Sequence, residues 1–134
     1  MSQSDYTRVE ADQATDLMAA YPGFGEMLSY GDALDAEQVA FSWRRMPAGT
    51  GGRGSYGHRH RTQEELYFVA AGTATFKVGD DVFEAGRGSA VRVAPHALRS
   101  VHNDTDADVE LIICSVRGGD LESEVESEAD FWPS

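Results

Sequence analysis

Hydrophobic and polar residues alternate along most of the chain after residue 38, which is the pattern of β-strands with two different faces. The alternation begins with Val39, Phe41 and Trp43 on one face and Ser42 and Arg44 on the other. Further apolar or alternating segments, separated by turn-forming residues, lie at 56–60, 65–71, 73–78, 82–84, 89–93, 98–103 and 109–116. Short strands at nearly regular spacing predict an all-β antiparallel barrel, most simply closed as a jelly roll.

The segment 12–21 is the part of the N-terminal region with helical periodicity. Apolar residues from Ala14 to Tyr21 recur at three- and four-residue spacing, and Pro22-Gly23 ends the pattern. The pattern predicts one short N-terminal helix. The chain then divides into an N-terminal arm with this helix at 1–37, a barrel at 38–117 and an acidic tail at 118–134.

The tail combines a run of acidic residues with two adjacent aromatic residues, Phe131 and Trp132. A run of like charges is normally solvated, whereas exposed aromatic rings are costly. We therefore expect the tail to dock on the barrel or on a partner subunit. An open barrel edge, together with Trp43 and these two rings, also predicts a homodimer.

Composition and charge restrict the class of protein. With 134 residues and one cysteine, Cys114, the chain fits a single domain without an internal disulfide. The formal net charge of −12 repels nucleic acids and anionic membranes, so we expect neither as a partner. The N-terminus lacks a basic segment followed by an apolar core, and the apolar runs are too short to cross a membrane. We expect an acidic, soluble, cytoplasmic protein.

Three side chains of metal-binding type occur close together at 58–65. His58 and His60 are two residues apart, so in a strand they project from the same face. The turn signal at 61–64 lets the chain reverse and present Glu65 beside them. Two imidazoles and one carboxylate are the ligand set of a facial metal triad, suited to Fe, Mn, Ni, Zn or Cu.

The sequence around these residues resembles the first motif of the cupin superfamily. The five motif positions, separated by five, one, four and six residues, are Gly52, His58, His60, Glu65 and Gly72. The resemblance extends over about 38–116. It implies a cupin double-stranded β-helix (jelly-roll) barrel, often homodimeric, with a pocket where the ligands meet.

The second cupin motif, which supplies one more histidine ligand, is altered in this chain. With Gly88 and Asn103 aligned to its glycine and asparagine, Arg99 stands where the resemblance implies the histidine. Arginine stays protonated and has no lone pair to donate. In one interpretation Arg99 pairs with Glu65 and no metal binds. In the other, the triad alone holds a metal and Arg99 receives an anionic substrate group, which offsets the repulsion between the two cations.

Two other histidines are candidates to replace the missing ligand. His102 follows Arg99 by three residues, and therefore faces the opposite side of a regular strand. His96 lies near a loop end of the same segment. We expect both at exposed or capping positions.

Neighbouring positions complete the expected site. Glu64 competes with Glu65 for the carboxylate role, but the spacing to Gly72 favours Glu65. Tyr67 shares the strand face of Glu65, so we expect it to line the interior and contact a ligand. The remaining interior wall is predicted to be apolar, from Phe76, Val78, Val91, Val93, Val101, Leu111 and Ile113.

Two functions remain open at this point. The first is a divalent-metal-dependent enzyme of oxygenase, isomerase or lyase type, which acts on a small organic anion. The second is a metal-free or metal-poor module that binds or senses a small ligand such as a sugar or a carboxylate. Membership of a fold family does not choose between them. A storage role would fit a longer two-barrel chain, and a transcription factor would need a helix-turn-helix segment, which the sequence lacks.

Overall fold

A computed structural model of the protein describes residues 4–118 and 120–134, and these form two antiparallel β-sheets that pack face to face. The first three residues of the predicted arm and residue 119 of the predicted tail lie outside the described residues. The strands are β1 (Thr15–Asp16), β2 (Glu26–Ser29), β3 (Val39–Met46), β4 (Gly57–His60), β5 (Glu65–Ala71), β6 (Thr73–Val78), β7 (Asp81–Gly86), β8 (Ala90–Val93), β9 (Arg99–His102), β10 (Val109–Val116) and β11 (Val125–Glu128). The helical turns are the 3₁₀ segments Ala11–Gln13 and Pro22–Phe24, and the α-helices α1 (Gly31–Leu34) and α2 (Leu121–Glu124).

The two sheets enclose one apolar core. The six-stranded sheet has the order β1-β2-β3-β10-β5-β8, and the five-stranded sheet has the order β11-β4-β9-β6-β7. Inward side chains of both sheets form the core, which consists of Met46, Tyr67, Val69, Ala74, Phe76, Ala85, Val93, Val109 and Leu111. This is the predicted all-β jelly roll. The seven residues of the predicted apolar wall all lie in this core or pack against it.

The predicted strands are present, with β5, β6 and β10 bounded as the pattern indicates. The helix predicted over 12–21 is wrong, because this segment forms β1 and a turn that leads to β2. The Asp16 carboxylate accepts hydrogen bonds from the backbone N–H groups of Met18 at 2.9 Å and Met27 at 3.0 Å. These bonds favour the reversal over a helix. The short α-helix of the N-terminal region is α1 instead.

Two motif glycines are required by close approaches of the backbone. Gly72, between β5 and β6, has φ of 76°, and a Cβ there would lie 2.5 Å from the Asp108 carbonyl oxygen. A Cβ on Gly52 would overlap the Ser100 hydroxyl. Both positions therefore exclude a side chain for steric reasons.

The acidic tail docks on its own barrel. Strand β11 pairs with β4, and Val125 lies opposite His60. Trp132 is buried, packs edge-on against His102 with 6.1 Å between ring centroids, and lies under the Arg53 guanidinium at 4.8 Å. The tail thus covers one face of the five-stranded sheet. None of the helices among the described residues is long and apolar enough to span a bilayer.

We expect Trp132→Ala to lower the free energy of unfolding by about 3–5 kcal/mol, because the substitution removes a buried indole and leaves a cavity. Denaturant titration monitored by circular dichroism would measure this. Tyr6→Ala is the matched control, since Tyr6 is 82% exposed and its loss should change stability by less than about 0.5 kcal/mol. Equal effects of the two substitutions would show that the tail does not contribute to stability.

Candidate metal centre and adjoining cavity

Strands β4 and β5 bring His58, His60 and Glu65 together in the interior, as the sequence predicts. One ligand atom from each residue lies within 4.8 Å of the other two. His58 Nε2 is 3.2 Å from Glu65 Oε1, and His60 Nε2 is 3.5 Å from Glu65 Oε2. The two imidazole rings meet edge to face, with centroids 5.2 Å apart.

The strands that supply these ligands belong to different sheets. β4 lies in the five-stranded sheet between β11 and β9, whereas β5 lies in the six-stranded sheet between β10 and β8. The segment 61–64 therefore crosses from one sheet to the other, and the two strands do not form the adjacent pair that the turn signal suggests. The triad spans the interior between the sheets, so its geometry depends on how they pack.

The Glu65 carboxylate is buried and surrounded by donors. Burial raises its pKa, but hydrogen bonds with His58 and with the Tyr67 hydroxyl, at 2.7 Å, outweigh burial and lower the pKa to about 2. Burial, and then the Glu65 charge, raise the pKa of Tyr67 well above its ordinary value. Tyr67 therefore remains a hydrogen-bond donor, and Glu65 remains an anion at neutral pH.

His60 has the properties expected of a metal ligand. It is buried, and neither of its ring nitrogens has a hydrogen-bond partner among the described residues. Burial lowers its pKa, which favours the neutral imidazole that coordinates metals. Metal–ligand bonds of about 2.1 Å separate neighbouring donor atoms by about 3.0–3.4 Å. The His58–Glu65 and His60–Glu65 distances are close to this range, so the donor set fits a divalent cation.

Arg99 lies beside the triad and is fully buried. It is directly opposite His58 across the β4–β9 ladder. Its Nη2 donates to the Ala94 carbonyl oxygen at 2.6 Å, and its Nη1 lies 3.5 Å from Glu65 Oε1 without a hydrogen bond. The permanent positive charge of Arg99 thus lies beside the single negative charge of Glu65. A bound cation would have to share the Glu65 charge with Arg99.

The other candidate residues lie outside the triad. His96 is exposed. His102 points away from Arg99, as the strand pattern predicts, but it is buried rather than exposed, and its Nδ1 accepts a hydrogen bond from the Arg53 backbone N–H at 3.2 Å beneath the tail. The Glu64 side chain pairs with Arg92 at 2.6 Å. None of the three belongs to the metal-binding cluster found among the described residues.

A cavity of about 460 Å³ opens beside the triad. His58 and Tyr67 form part of its wall, and Met18 and Met27 contribute from the N-terminal region. Arg99 is not part of this wall, whereas Arg44 is. The sequence pattern puts Arg44 on the polar face of β3 and does not indicate a role for it. The informative signal was its strand parity with Met46, a core residue two positions further along.

Comparisons with known proteins agree on one family. Residues 44–115 match a family model described as "Cupin domain". A search of curated proteins found no match. A sugar phosphate isomerase from a cupin superfamily, from Silicibacter pomeroyi, is 19% identical, with 96% of each chain covered and a TM-score of 0.69. A cupin protein from Bacteroides fragilis is 20% identical (TM-score 0.68), with 87% of this chain and 88% of that chain covered. A predicted oxalate decarboxylase from Thermotoga maritima is 18% identical (TM-score 0.63), with 82% and 98% covered.

We expect Tyr67→Phe to raise the pKa of Glu65 above about 2, because the carboxylate loses its 2.7 Å hydrogen bond. A carboxyl with a lowered folded-state pKa stabilises the fold above its ordinary value of 4.5, and this contribution is lost as the pH falls toward 2. Acid destabilisation by this group should therefore begin near pH 4.5 in both proteins, but in the variant it should be smaller and complete at a higher pH. Carboxyl ¹³C NMR and denaturant titrations across pH 2–6, on chelator-treated protein, would measure both effects.

The matched control is Tyr56→Phe, since Tyr56 lines the same cavity but makes no hydrogen bond with Glu65. Its acid profile should follow that of the wild type. An unchanged Glu65 pKa in Tyr67→Phe would contradict the assignment of Tyr67 as the donor that stabilises this carboxylate.

Proposed function

The chain belongs to the cupin domain family, and from this premise we propose that it is a divalent-metal-dependent enzyme acting on a small organic anion. His58, His60 and Glu65 hold the metal, and the adjoining cavity receives the substrate. The reaction is of the isomerase, lyase or oxygenase type. The observation that carries the proposal is the convergence of the three ligand atoms within 4.8 Å around the buried His60 imidazole, which has no hydrogen-bond partner among the described residues.

The metal supplies Lewis-acid chemistry at the inner wall of the cavity. The protein side chains prepare the site for it. Glu65 provides the anionic ligand, Tyr67 orients that carboxylate through its hydroxyl, and His58 forms the boundary between the triad and the cavity. A hydrogen bond donated to a metal-binding carboxylate in this way fixes the orientation of the carboxylate.

The similar structures support a small anionic substrate in general terms. Two of them are described as a sugar phosphate isomerase and a predicted oxalate decarboxylase, which are names of enzymes with anionic substrates. At this level of identity the likeness concerns the fold. The substrate class of this chain therefore has to be argued from its own cavity residues.

A second candidate function is a metal-free module that binds a small ligand. The observation in its favour is the 3.5 Å distance between Arg99 Nη1 and Glu65 Oε1. In that state the guanidinium and the carboxylate neutralise each other, and the two histidines remain as polar groups near the cavity. The two candidates differ in whether Glu65 balances a metal or only Arg99.

We expect wild-type protein purified without added metal to contain roughly one divalent ion per chain, and His60→Ala to lose it. Arg99→His should bind the metal more tightly, on the order of 100-fold, because a repelling cation is replaced by a neutral ligand. Elemental analysis and competition with a chelator of known affinity would measure occupancy and affinity. The control is His96→Ala, since His96 is exposed and lies outside the triad.

The metal contents of the wild type and of Arg99→His together could overturn the enzyme proposal. If the wild type carries no metal, even after incubation with Fe(II), Mn(II), Ni(II), Zn(II) or Cu(II), and Arg99→His acquires one, then the metal-free binding module is the correct function. Metal that persists in His60→Ala would show that it binds elsewhere.

We also propose that the protein is a homodimer that pairs through the outer face of the six-stranded sheet. Apolar side chains form two adjacent cross-strand rows there, in the order β3, β10 and β5. We call these residues the outer patch, and they are Trp43, Ile112 and Phe68 in one row and Phe41, Cys114 and Leu66 in the other. Leu66 and Phe68 are exposed in the monomer, so a second copy would cover them.

We expect Phe68→Lys to weaken dimerisation by about tenfold or more, because it places a charge within the outer patch. Val82→Lys is the control, since Val82 is also exposed but lies on β7 of the other sheet. Sedimentation equilibrium would measure the dissociation constants. Because two chains of net charge −12 repel each other, wild-type dimerisation should strengthen as salt is added. A monomeric wild type at micromolar concentration would refute the proposal.

A further inference from the structure

Arg44 is a cation in the cavity wall. Among the described residues no carboxylate forms a salt bridge with it, although the charges of Asp16 and Glu26 lie near enough to act on it. Its Nη1 donates to the backbone carbonyl oxygens of Phe24 at 2.7 Å, Glu26 at 3.1 Å and Arg45. Among the described residues, Nε and Nη2 make no hydrogen bond, and no salt bridge includes Arg44. Three neutral carbonyls thus fix the guanidinium by one nitrogen and leave its other edge available.

Two other arginines of this protein pair with carboxylate side chains through the guanidinium edge formed by Nε and Nη2. Arg45 uses it on Glu26, with Nε and Nη2 at 2.5 and 3.1 Å from the two carboxylate oxygens. Arg53 uses it on Asp104, at 3.0 and 2.6 Å. A guanidinium presents this edge as a planar pair of donors that matches a carboxylate. Arg44 has the same pair of donors without the carboxylate.

The charge of the cavity wall is opposite to that of the protein as a whole. The chain carries a net charge of −12, yet no aspartate or glutamate of the described residues lines the cavity. Arg44 is the one arginine or lysine among its lining residues. Burial lowers the pKa of Arg44, and the nearby carboxylates of Asp16 and Glu26 offset this only in part, so its charge is incompletely compensated where it lies. An anion that enters the cavity would compensate this charge.

We propose that Arg44 binds the carboxylate of an organic acid through Nε and Nη2, and that the apolar body of this acid fills the cavity. The anchoring role expected for Arg99 is thereby assigned to Arg44. Met18, Met27 and Leu111 line the cavity and contact the apolar body. This inference rests on the proposed function, because it takes the cavity beside the triad as the substrate site.

The dimensions of the cavity limit the size of the acid. Arg44 lies on β3 and Tyr67 on β5, with β10 between them and an offset of two residues along the strands, so their backbones are about 12 Å apart. A volume of about 460 Å³ is typical of sites for small organic molecules. An acid with a single ring or a short chain would place its carboxylate at Arg44 and its other end beside His58 and Tyr67.

A matched pair of probes tests the charge preference. 3-Phenylpropanoate and 3-phenylpropanamide have the same apolar body, and isothermal titration calorimetry gives a dissociation constant for each. We expect the wild type to bind the acid about 10- to 100-fold more tightly than the amide, as is typical of a hydrogen-bonded charge pair. Arg44→Met should abolish this preference and leave the affinity for the amide nearly unchanged.

Arg45→Met is the matched control, since Arg45 neighbours Arg44 on the same strand but pairs with Glu26 and Asp108 on the outer face. Its preference for the acid should equal that of the wild type. Arg44→Lys keeps the charge without the planar pair of donors, so part of the preference should return. The preference is the ratio of the dissociation constants of the amide and the acid, both measured on the same variant. Circular dichroism checks that each variant is folded.

The outcomes separate this inference from the proposed function. An equal affinity for acid and amide in the wild type, no binding of the acid at millimolar concentration, or a preference that survives in Arg44→Met would each overturn the role of Arg44. Arg44→Met should keep the metal content of the wild type, because Arg44 is not a ligand. A metal-free wild type that retains the preference for the acid would refute the metal centre alone.

Discussion

The buried carboxylate of Glu65 is the constraint on which the interior of this barrel depends. An anion removed from water requires compensation by charges or donors, and four side chains from three strands supply it. Tyr67 lies on the same strand, His58 and His60 come from β4, and Arg99 comes from β9. A shift of one residue in the register of β4 would turn both histidines away from Glu65. The polar centre thus fixes the relative position of strands that belong to two different sheets.

The tail supports this centre from the outside. Strand β4 pairs with β9 through His58 and Arg99, whereas its pairing with β11 extends along the whole strand. The buried Glu124 carboxylate accepts hydrogen bonds from the backbone N–H groups of Arg61 at 3.1 Å and Thr62 at 2.9 Å, in the turn that connects His60 to Glu65. The tail therefore holds both the strand and the turn that position the triad. Its acidic residues are structural at this point rather than only solvated.

The sequence predicted the barrel and the triad because both depend on local spacing. Alternation located the strands, and the five-position motif with Gly52 and Gly72 located the ligands. The tail strand β11 was missed because its acidic residues gave no strand pattern, and the sequence predicted only that the tail docks through Phe131 and Trp132. The helix over 12–21 was wrong because the Asp16 side chain and the edge of the sheet stabilise a β-turn there. The roles of Arg44 and Arg99 required three-dimensional information, because an arginine in a strand gives no indication of whether its partner is a carboxylate, a carbonyl group or a ligand.

If the chain binds both a metal and an organic acid as proposed, the positions of the two arginines give a physical reason for the two to bind together. With neutral histidines, the charges of Glu65 and Arg99 cancel, so a divalent ion adds two uncompensated positive charges to a region that also contains Arg44. An organic acid in the cavity reduces this excess, and its favourable interaction with the metal increases as water leaves the cavity. Binding linkage is reciprocal, so each ligand tightens the binding of the other by the same factor. In the proposed enzyme, Arg99 would weaken metal binding without abolishing it, and a bound acid would strengthen it.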